Sequence, residues 1–151
     1  MDHMFTIGRH TDYAARIVLH LSGLESGARV TAREIAAKRL IPPAFIRRIV
    51  SRLSAAGILT TTRGSGGGIA LAREASQITL RDVVEAFEGP LSLNGCVAEP
   101  GDCPLAVDCP VQGAWVKATR HLSDYLSEVR FGDLVIRMEG ARTPDGSTPS
   151  G

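Results

Sequence analysis

Apolar residues recur at helical spacing through most of this chain. The spacing predicts three amphipathic helices in its first part: one from about Thr11 to Leu24, one over 32–39 and one that begins at Pro43. Thr11 or Asp12 is expected to cap the first of them. Because only a short turn separates the second helix from the third, these two are predicted to form a helix-turn-helix pair.

Two residues mark the outer ends of that pair. Thr31 is a favourable N-cap, and Glu34 three residues later completes the sequence of a capping box. Gly57 suits the left-handed conformation that commonly ends a helix. The third helix has basic and small polar residues on one face and apolar residues on the other, namely Phe45, Ile46, Ile49, Val50 and Leu53.

Two short runs with high strand propensity follow, over 58–62 and 69–71. They flank a glycine-rich segment that starts at Arg63 and ends at Gly68, which predicts an antiparallel hairpin. A helix-turn-helix followed by a hairpin is the element order of a winged helix-turn-helix domain. The glycine run lacks the Lys-Ser/Thr ending of a nucleotide-binding loop, so it is not assigned that role.

Another helix is predicted from Leu80 to about Glu88, with Thr79 as its N-cap and Gly89-Pro90 at its end, and a long one over 111–130. The small winged-helix core leaves too little surface to cover the apolar stripe of the long helix, so the stripe predicts pairing with a second copy across a two-fold axis. Gly132 is expected to break the chain before a short helix over 134–138. The stripe consists of Trp115, Ala118, Leu122, Tyr125, Leu126 and Val129.

Charge is distributed unevenly along the chain, although the net charge is only +1. Residues 29–70 hold eight Lys or Arg against a single acid, whereas the rest of the chain holds nine against fifteen. The basic residues coincide with the predicted helix-turn-helix and hairpin. The asymmetry therefore indicates that this segment binds a polyanion, and DNA is the polyanion that such a domain recognises.

The side chains expected to reach DNA lie on the polar face of the third helix, on the hairpin and at the start of the second helix. An arginine at such a position either pairs with guanine or neutralises phosphate, and the sequence leaves both roles open. The residues are Thr31, Pro43, Ala44, Arg47, Arg48, Ser51, Arg63, Ser65 and Gly66.

All three cysteines of the chain, Cys96, Cys103 and Cys109, fall within fourteen residues. Prolines and glycines between and beside them exclude a regular helix or strand, so the segment is predicted to be a loop that brings three sulfurs together. Three thiolates on one loop are typical ligands of an iron-sulfur cluster or a soft metal ion. They leave one coordination position for another ligand.

Other roles of the cysteines are less favoured. An odd number of cysteines in a chain of this length argues against a disulfide framework. Structural zinc sites normally show Cys-x2-Cys spacing, whereas six and five residues separate these cysteines. Inert cysteines are usually buried among apolar residues, whereas Asp102 and Asp108 flank these. An iron-sulfur cluster is therefore the first expectation, with zinc as the alternative.

The chain shows no pair of catalytic carboxylates, nucleophile-base combination or cofactor fingerprint, so it is not expected to be an enzyme. No apolar run approaches the length of a membrane span, and the N-terminus lacks the pattern of a secretory signal. These features predict a cytoplasmic protein with no membrane partner. A reducing compartment also suits thiols that stay available for a metal.

Together these features resemble the Rrf family, subgroup two, of bacterial transcription regulators. The resemblance runs from about Phe5 to Met138 and includes Thr-Asp-Tyr-Ala in the first helix and Ile78-Thr-Leu-Arg-Asp-Val-Val84. Its most specific part is the glycine-rich wing with a three-cysteine loop downstream. It implies a homodimeric repressor that pairs through the 111–130 helix and binds a two-fold operator. In many members the loop holds an iron-sulfur cluster that senses nitric oxide, iron or redox state.

The resemblance also bears on the fourth ligand. The cluster-assembly regulator IscR has a ligand histidine three residues after its last cysteine, where this chain has Gln112. The nitric-oxide regulator NsrR takes an aspartate from the first helix of the other subunit, and Asp12 occupies the matching position. His10 is the rival ligand, and a simple helix cap is the alternative role of Asp12. One departure from the family is that six residues, not the common five, separate Cys96 from Cys103.

The ligand pattern is thus nearer to NsrR than to IscR. It implies a site formed by Cys96, Cys103, Cys109 and Asp12, with a 4Fe-4S cluster favoured and a 2Fe-2S cluster as the alternative. The competing functions are a cluster-free regulator that responds to a protein or a small effector, and a zinc-stabilised DNA-binding module. The colour of the purified protein distinguishes both from a cluster-containing regulator, because zinc is colourless and iron-sulfur clusters are brown.

The predicted fold class is mainly α: a winged helix-turn-helix with a long C-terminal dimerisation helix. The expected divisions are a DNA-binding domain over 5–90, a cysteine loop over 91–110, the dimerisation and short terminal helices over 111–139, and a disordered tail over 140–151.

Overall fold

A computed structural model describes residues 6–65, 67–93, 97, 99, 101, 104–105 and 108–142, with side chains up to 140. The described residues form a mainly helical fold with a small two-stranded sheet, as predicted. None of their helices is long and apolar enough to span a membrane. The elements are α1 (Arg9–Ser22), α2 (Ala32–Arg39), α3 (Pro43–Ala55), β1 (Leu59–Thr62), β2 (Gly68–Leu71), α4 (Leu80–Glu88), α5 (Pro110–Glu128) and α6 (Phe131–Arg142).

Helix α1 begins earlier than predicted, because its capping group comes from another helix. Gly8 occupies the N-cap position, so Thr11 and Asp12 lie in the first turn and neither caps the helix. One carboxylate oxygen of Glu88, at the end of α4, accepts hydrogen bonds from the Gly8 N–H and the Thr11 hydroxyl, both at 2.8 Å. A carboxylate at this position satisfies a free amide and complements the helix dipole.

Helix α2 begins as the sequence predicts. The Thr31 hydroxyl accepts a hydrogen bond from the Glu34 N–H at 3.1 Å. The Glu34 carboxylate turns instead to Lys38, at 2.9 Å. Leu40 then adopts a left-handed conformation with φ 53°, which turns the chain into α3.

Two glycines and one threonine end or begin the neighbouring elements as expected. Gly57 has φ 77°, and its N–H and that of Ile58 bond back into the last turn of α3 in a Schellman motif. Thr79 caps α4 in a complete capping box with Asp82. Gly89 ends α4.

The wing is fixed to the start of α2. Strands β1 and β2 pair antiparallel along their length, and Val30 pairs with Ile69 through N–H···O bonds of 2.8 and 3.0 Å. Gly68 has φ 148°, and a Cβ there would lie 2.8 Å from the Val30 carbonyl oxygen, so only glycine fits. This close approach holds the N-terminus of α2 beside the base of the wing.

The core lies among α1, α2, α3, the sheet and α4. Its largest fully buried side chains include one from α6, which the sequence pattern did not assign to the core. These side chains are Phe131, Ile17, Ile35, Ile49, Leu53, Ile58, Ile78, Val18 and Val83.

The prediction for the C-terminal helices is wrong at their junction. Helix α5 ends at Glu128, and α6 begins at Phe131 rather than at residue 134. The Leu80 N–H donates to the Val129 carbonyl at 2.8 Å, and the Phe131 N–H donates to the Ile78 carbonyl at 3.0 Å, so the junction pairs with the chain that enters α4. Residues 140–142, assigned to the tail, belong to α6, and 143–151 lie outside the described residues.

His20 joins α1 to α2 inside this fold. It is buried, and its Nδ1 accepts a hydrogen bond from the Arg39 Nε at 3.0 Å, which requires the neutral imidazole. Its Nε2 has no hydrogen-bond partner among the described residues. Burial lowers the pKa of His20 from its ordinary value of 6.5, and the positive charges of Arg39 and Lys38 lower it further, against a smaller opposing effect of Glu34.

Protonation of His20 is therefore expected to make stability depend on pH. Between the lowered pKa of the folded state and 6.5, the unfolded chain binds more protons than the folded chain. The contribution of neutral His20 to the free energy of unfolding is therefore complete above that pH range and is lost as the pH falls through it. The free energy of unfolding should decrease below about pH 6.5, with a slope of up to about 1.4 kcal/mol per pH unit. Urea unfolding of metal-free protein at one protein concentration measures it.

Two variants distinguish the effect of His20 on the pH dependence of stability from the effects of other titrating groups. His20→Gln keeps an acceptor for Arg39 but does not titrate, so its unfolding free energy should vary less with pH. His121→Gln, at an exposed position of α5, should keep the wild-type dependence. An unchanged pH dependence in His20→Gln would contradict the prediction.

Candidate nucleic-acid interface and metal centre

Helix α3 buries its apolar residues and exposes the face that the sequence assigned to DNA. No acidic residue lies in its first turn. Arg47 and Arg48 extend from this face, and in the described part of the chain neither makes a hydrogen bond or an ion pair. The exposed predicted residues of α3 are Pro43, Ala44, Arg47, Arg48 and Ser51.

The wing and the start of α2 extend this surface. Arg63 and Ser65 are exposed in the hairpin, whereas Gly66 lies outside the described residues. Arg29 donates to the Thr62 hydroxyl at 2.9 Å, which ties the segment before α2 to β1. Thr31 is exposed at the N-terminus of α2. Free amides and the helix dipole make such a terminus suitable for a phosphate.

Arg52 lies on the same helix but is bound within the protein. Its Nε donates to the Ala86 carbonyl oxygen at 3.1 Å, and its guanidinium lies 5.4 Å from the centre of the Phe87 ring. Both partners belong to the last turn of α4. Arg52 thus differs from Arg47 and Arg48, although all three are exposed basic residues of one helix.

Asp12 lies on the surface of α1. Its carboxylate pairs with Arg16 at 2.8 Å, and both side chains are about half exposed. Arg16 also donates to the carbonyl oxygen of Arg39, the last residue of α2, at 3.4 Å. The rival ligand His10 packs against Phe45 of α3 with ring centres 5.3 Å apart. Of the two candidate ligands, Asp12 is exposed and His10 is partly buried, so the Asp12 carboxylate is the more accessible to a metal.

The cysteine segment is described only in part. Cys96 and Cys103 lie outside the described residues, and Cys109 has a free, half-buried thiol at the N-cap of α5. The first-turn amides of a helix of this length favour a negative charge beside Cys109. The described residues contain no group of three or more His, Cys, Asp or Glu that could hold a metal ion.

The chemical types of the candidate ligands, thiol and carboxylate, nevertheless fit an iron-sulfur cluster. Thiolates are the usual cluster ligands, and a carboxylate is a harder and weaker ligand for iron. Cys109 has the free thiol and Asp12 the accessible carboxylate that such a site needs.

Helix α5 leaves most of its apolar stripe uncovered. Thr119 is its buried residue, whereas Leu126 and the following Val129 are half-buried against their own chain, so these two members of the predicted stripe pack internally. Val111 joins the others, and their spacing alternates between four and three residues as in a coiled-coil seam. We call these residues the α5 seam: Val111 (56% exposed), Trp115 (41%), Ala118, Leu122 (39%) and Tyr125 (62%).

The sequence of this chain is similar to those of known proteins. The sequence model of the Rrf2 family, described as an iron-dependent transcriptional regulator, matches residues 7–137. Protein aau3 of Rhizobium meliloti (strain 1021) is 34% identical over 130 residues, which cover 84% of this chain and 82% of that protein.

Solved structures share the fold. CymR of B. subtilis, the global cysteine regulator, superposes with a TM-score of 0.73 at 24% identity, covering 89% of this chain and 98% of that chain. IscR of T. potens gives a TM-score of 0.75 at 20% identity and covers 94% of each chain. At these identities the two likenesses concern the fold alone, which is the winged helix predicted from the sequence.

Proposed function

This chain belongs to the Rrf2 family of transcriptional regulators, and from that premise we propose that it is a homodimeric DNA-binding regulator whose operator affinity is controlled by an iron-sulfur cluster. The signal is nitric oxide, redox state or iron. The observation that carries the DNA-binding part is the exposed face of α3, where Arg47 and Arg48 have no partner within the described residues.

The α3 face enters the major groove in this proposal. Arg47, Arg48 and Ser51 contact base edges or phosphates there, and Arg63 of the wing enters the adjacent minor groove. Thr31 and the α2 terminus hold a phosphate. Pro43, Ala44, Ser65 and Gly66 complete the contact surface. Two copies joined through the α5 seam bind two half-sites of a two-fold operator.

The cluster part rests on the family description, on the spacing of three cysteines and on the free thiol of Cys109. Cys96, Cys103 and Cys109 hold the cluster, and Asp12 of the other subunit supplies the fourth ligand, with a 4Fe-4S cluster favoured over 2Fe-2S. When bound, the cluster supplies a group that reacts with oxidants and nitric oxide.

A connection from Asp12 to the helix-turn-helix supports this assignment. Arg16 contacts both the Asp12 carboxylate and the last carbonyl of α2. If Asp12 bound iron instead, Arg16 would lose this carboxylate partner and would be held by the Arg39 carbonyl and the Tyr13 ring alone. Binding of iron by Asp12 would thereby affect the contact between α1 and the end of α2, the helix that precedes α3.

The experiment compares DNA binding with and without the cluster. Anaerobically purified protein selects a duplex from a random-sequence pool, once with its iron and once after chelation, and anisotropy then measures the affinity of both forms. We expect the affinities to differ by at least about tenfold, a coupling within the range common for allosteric proteins. Equal affinities would contradict cluster control and favour a cluster-free or zinc-containing regulator, and failure to enrich any duplex would contradict specific DNA binding.

A further inference from the structure

The arginines of α3 fall into two groups by their contacts. Arg47 and Arg48 make no hydrogen bond or ion pair within the described chain, whereas Arg52 makes a hydrogen bond of 3.1 Å and a cation-π contact. At 100° per residue, Arg52 also lies at the edge of the exposed face, beside Phe45 rather than beside Ser51.

The partners of Arg52 suit a guanidinium. Ala86 lies in the last turn of α4, where carbonyl oxygens have no intrahelical donor and carry the negative end of the helix dipole. Phe87 is half-buried in the same turn, and the Arg52 guanidinium carbon lies over its ring, 5.4 Å from the ring centre. A guanidinium can donate to the carbonyl while it lies over the ring, whereas an ammonium group is a compact charge without this planar arrangement of donors.

We propose that Arg52 is a positioning residue for DNA recognition, which fixes α3 to the last turn of α4 and does not itself contact DNA. The proposal rests on α3 being the recognition helix. It separates the basic residues of α3 into two that bind the nucleic acid and one that sets the angle at which they are presented.

The anchoring turn is itself held in place. Glu88, directly after Phe87, accepts hydrogen bonds from Gly8 and Thr11 at the start of α1. The last turn of α4 therefore connects to α1 on one side and to α3 on the other. A recognition helix attached to this turn moves with the body of the domain.

Salt dependence distinguishes positioning from contact. Each neutralised phosphate adds about one unit to the slope of log affinity against log salt concentration. Arg52→Ala should weaken binding to the selected duplex about tenfold with the wild-type slope retained. Arg48→Ala and Arg63→Ala, which also remove one charge each, should lower the slope by about one unit. Binding to a scrambled duplex should fall in these two and not in Arg52→Ala.

Two further variants test the contact itself. Arg52→Lys keeps the charge but loses the planar donor, so it should resemble Arg52→Ala and not the wild type. Phe87 lies on α4 and is not proposed to contact DNA, so Phe87→Leu should weaken DNA binding only through the loss of its contact with Arg52. Because both side chains belong to one contact, the double variant Arg52→Ala/Phe87→Leu should be little worse than either single variant.

Each outcome decides the proposal. A slope lowered by about one unit in Arg52→Ala, or full affinity in Arg52→Lys, would identify Arg52 as a phosphate contact and overturn it. If the wild type enriches no duplex, the proposed function fails separately, and the same double-mutant cycle measured by urea unfolding still tests the Arg52–Phe87 contact. Additive losses of stability would overturn the proposal in that case as well.

Discussion

Replacing both Leu122 and Tyr125 by aspartate is expected to convert the proposed dimer into monomers and to remove operator binding. Both residues lie on the uncovered seam of α5, where they are 39% and 62% exposed in a single chain. A dimer formed there would bury four added carboxylates, each at a cost of several kcal/mol. We expect the dimer dissociation constant to rise at least about a hundredfold. Sedimentation velocity measures the change.

Operator affinity should fall with the dimer, because two half-sites are bound together only when two recognition helices are linked. Linkage gives the second contact an effective concentration of about the millimolar order, and that advantage is lost when the chains separate. Monomers are therefore expected to bind the selected duplex no better than a scrambled one.

A matched control distinguishes the effect of charges placed on the seam from the effect of the change in net charge alone. Lys117→Asp changes the charge of the chain by the same two units, at an exposed position of α5 away from the seam. It should remain dimeric. A Leu122→Asp/Tyr125→Asp variant that still sediments as a dimer would show that the two copies meet elsewhere.

Elements defined by neighbouring residues were predictable from the sequence. Thr31, Gly57 and Thr79 each act on amides or carbonyls within a few positions, and each occupies the expected cap. The α5 seam was also mostly predictable, since its period is local. Extending the same four-three spacing backwards would have included Val111.

Features that depend on distant contacts were not predictable. The cap of α1 comes from Glu88, which is 80 residues from Gly8. Helix α6 begins at Phe131 because the chain there pairs with Ile78 and buries a core side chain. The role of Arg52 depends on Ala86, 34 residues away. The spacing of α3 places Arg52 at the edge of the exposed face but does not reveal its partners on α4.

Replacing Cys109 by alanine is expected to remove the iron-sulfur absorption of anaerobically purified protein, and Asp12→Asn to alter it. A thiolate is a strong cluster ligand, so its loss leaves two cysteines, which are too few to hold the cluster. The carboxylate is the weaker ligand, so a cluster that lacks it should persist but lose iron faster. Visible absorption with iron and sulfide analysis measures both effects, and Cys103→Ala should match Cys109→Ala.

The control carboxylate is Asp108, which is exposed and directly precedes Cys109. Asp108→Asn removes the same charge as Asp12→Asn but should leave the spectrum and the rate of iron loss unchanged. A colourless wild-type protein, with no iron after reconstitution, would contradict the cluster assignment. Colour retained in Cys109→Ala would exclude that thiol as a ligand.

Mixed dimers test whether Asp12 acts across the subunit interface. In a dimer of one Asp12→Asn chain and one Cys109→Ala chain, the intact cysteines and the intact aspartate lie on different subunits. If Asp12 serves the partner's cluster, each mixed dimer contains one complete site of the two, so it should show the wild-type spectrum at half the intensity and retain that iron as the wild type does. If Asp12 serves its own chain, no complete site forms and the cluster stays labile. The first result would also link cluster binding to the α5 seam, because a monomer could then build no complete site.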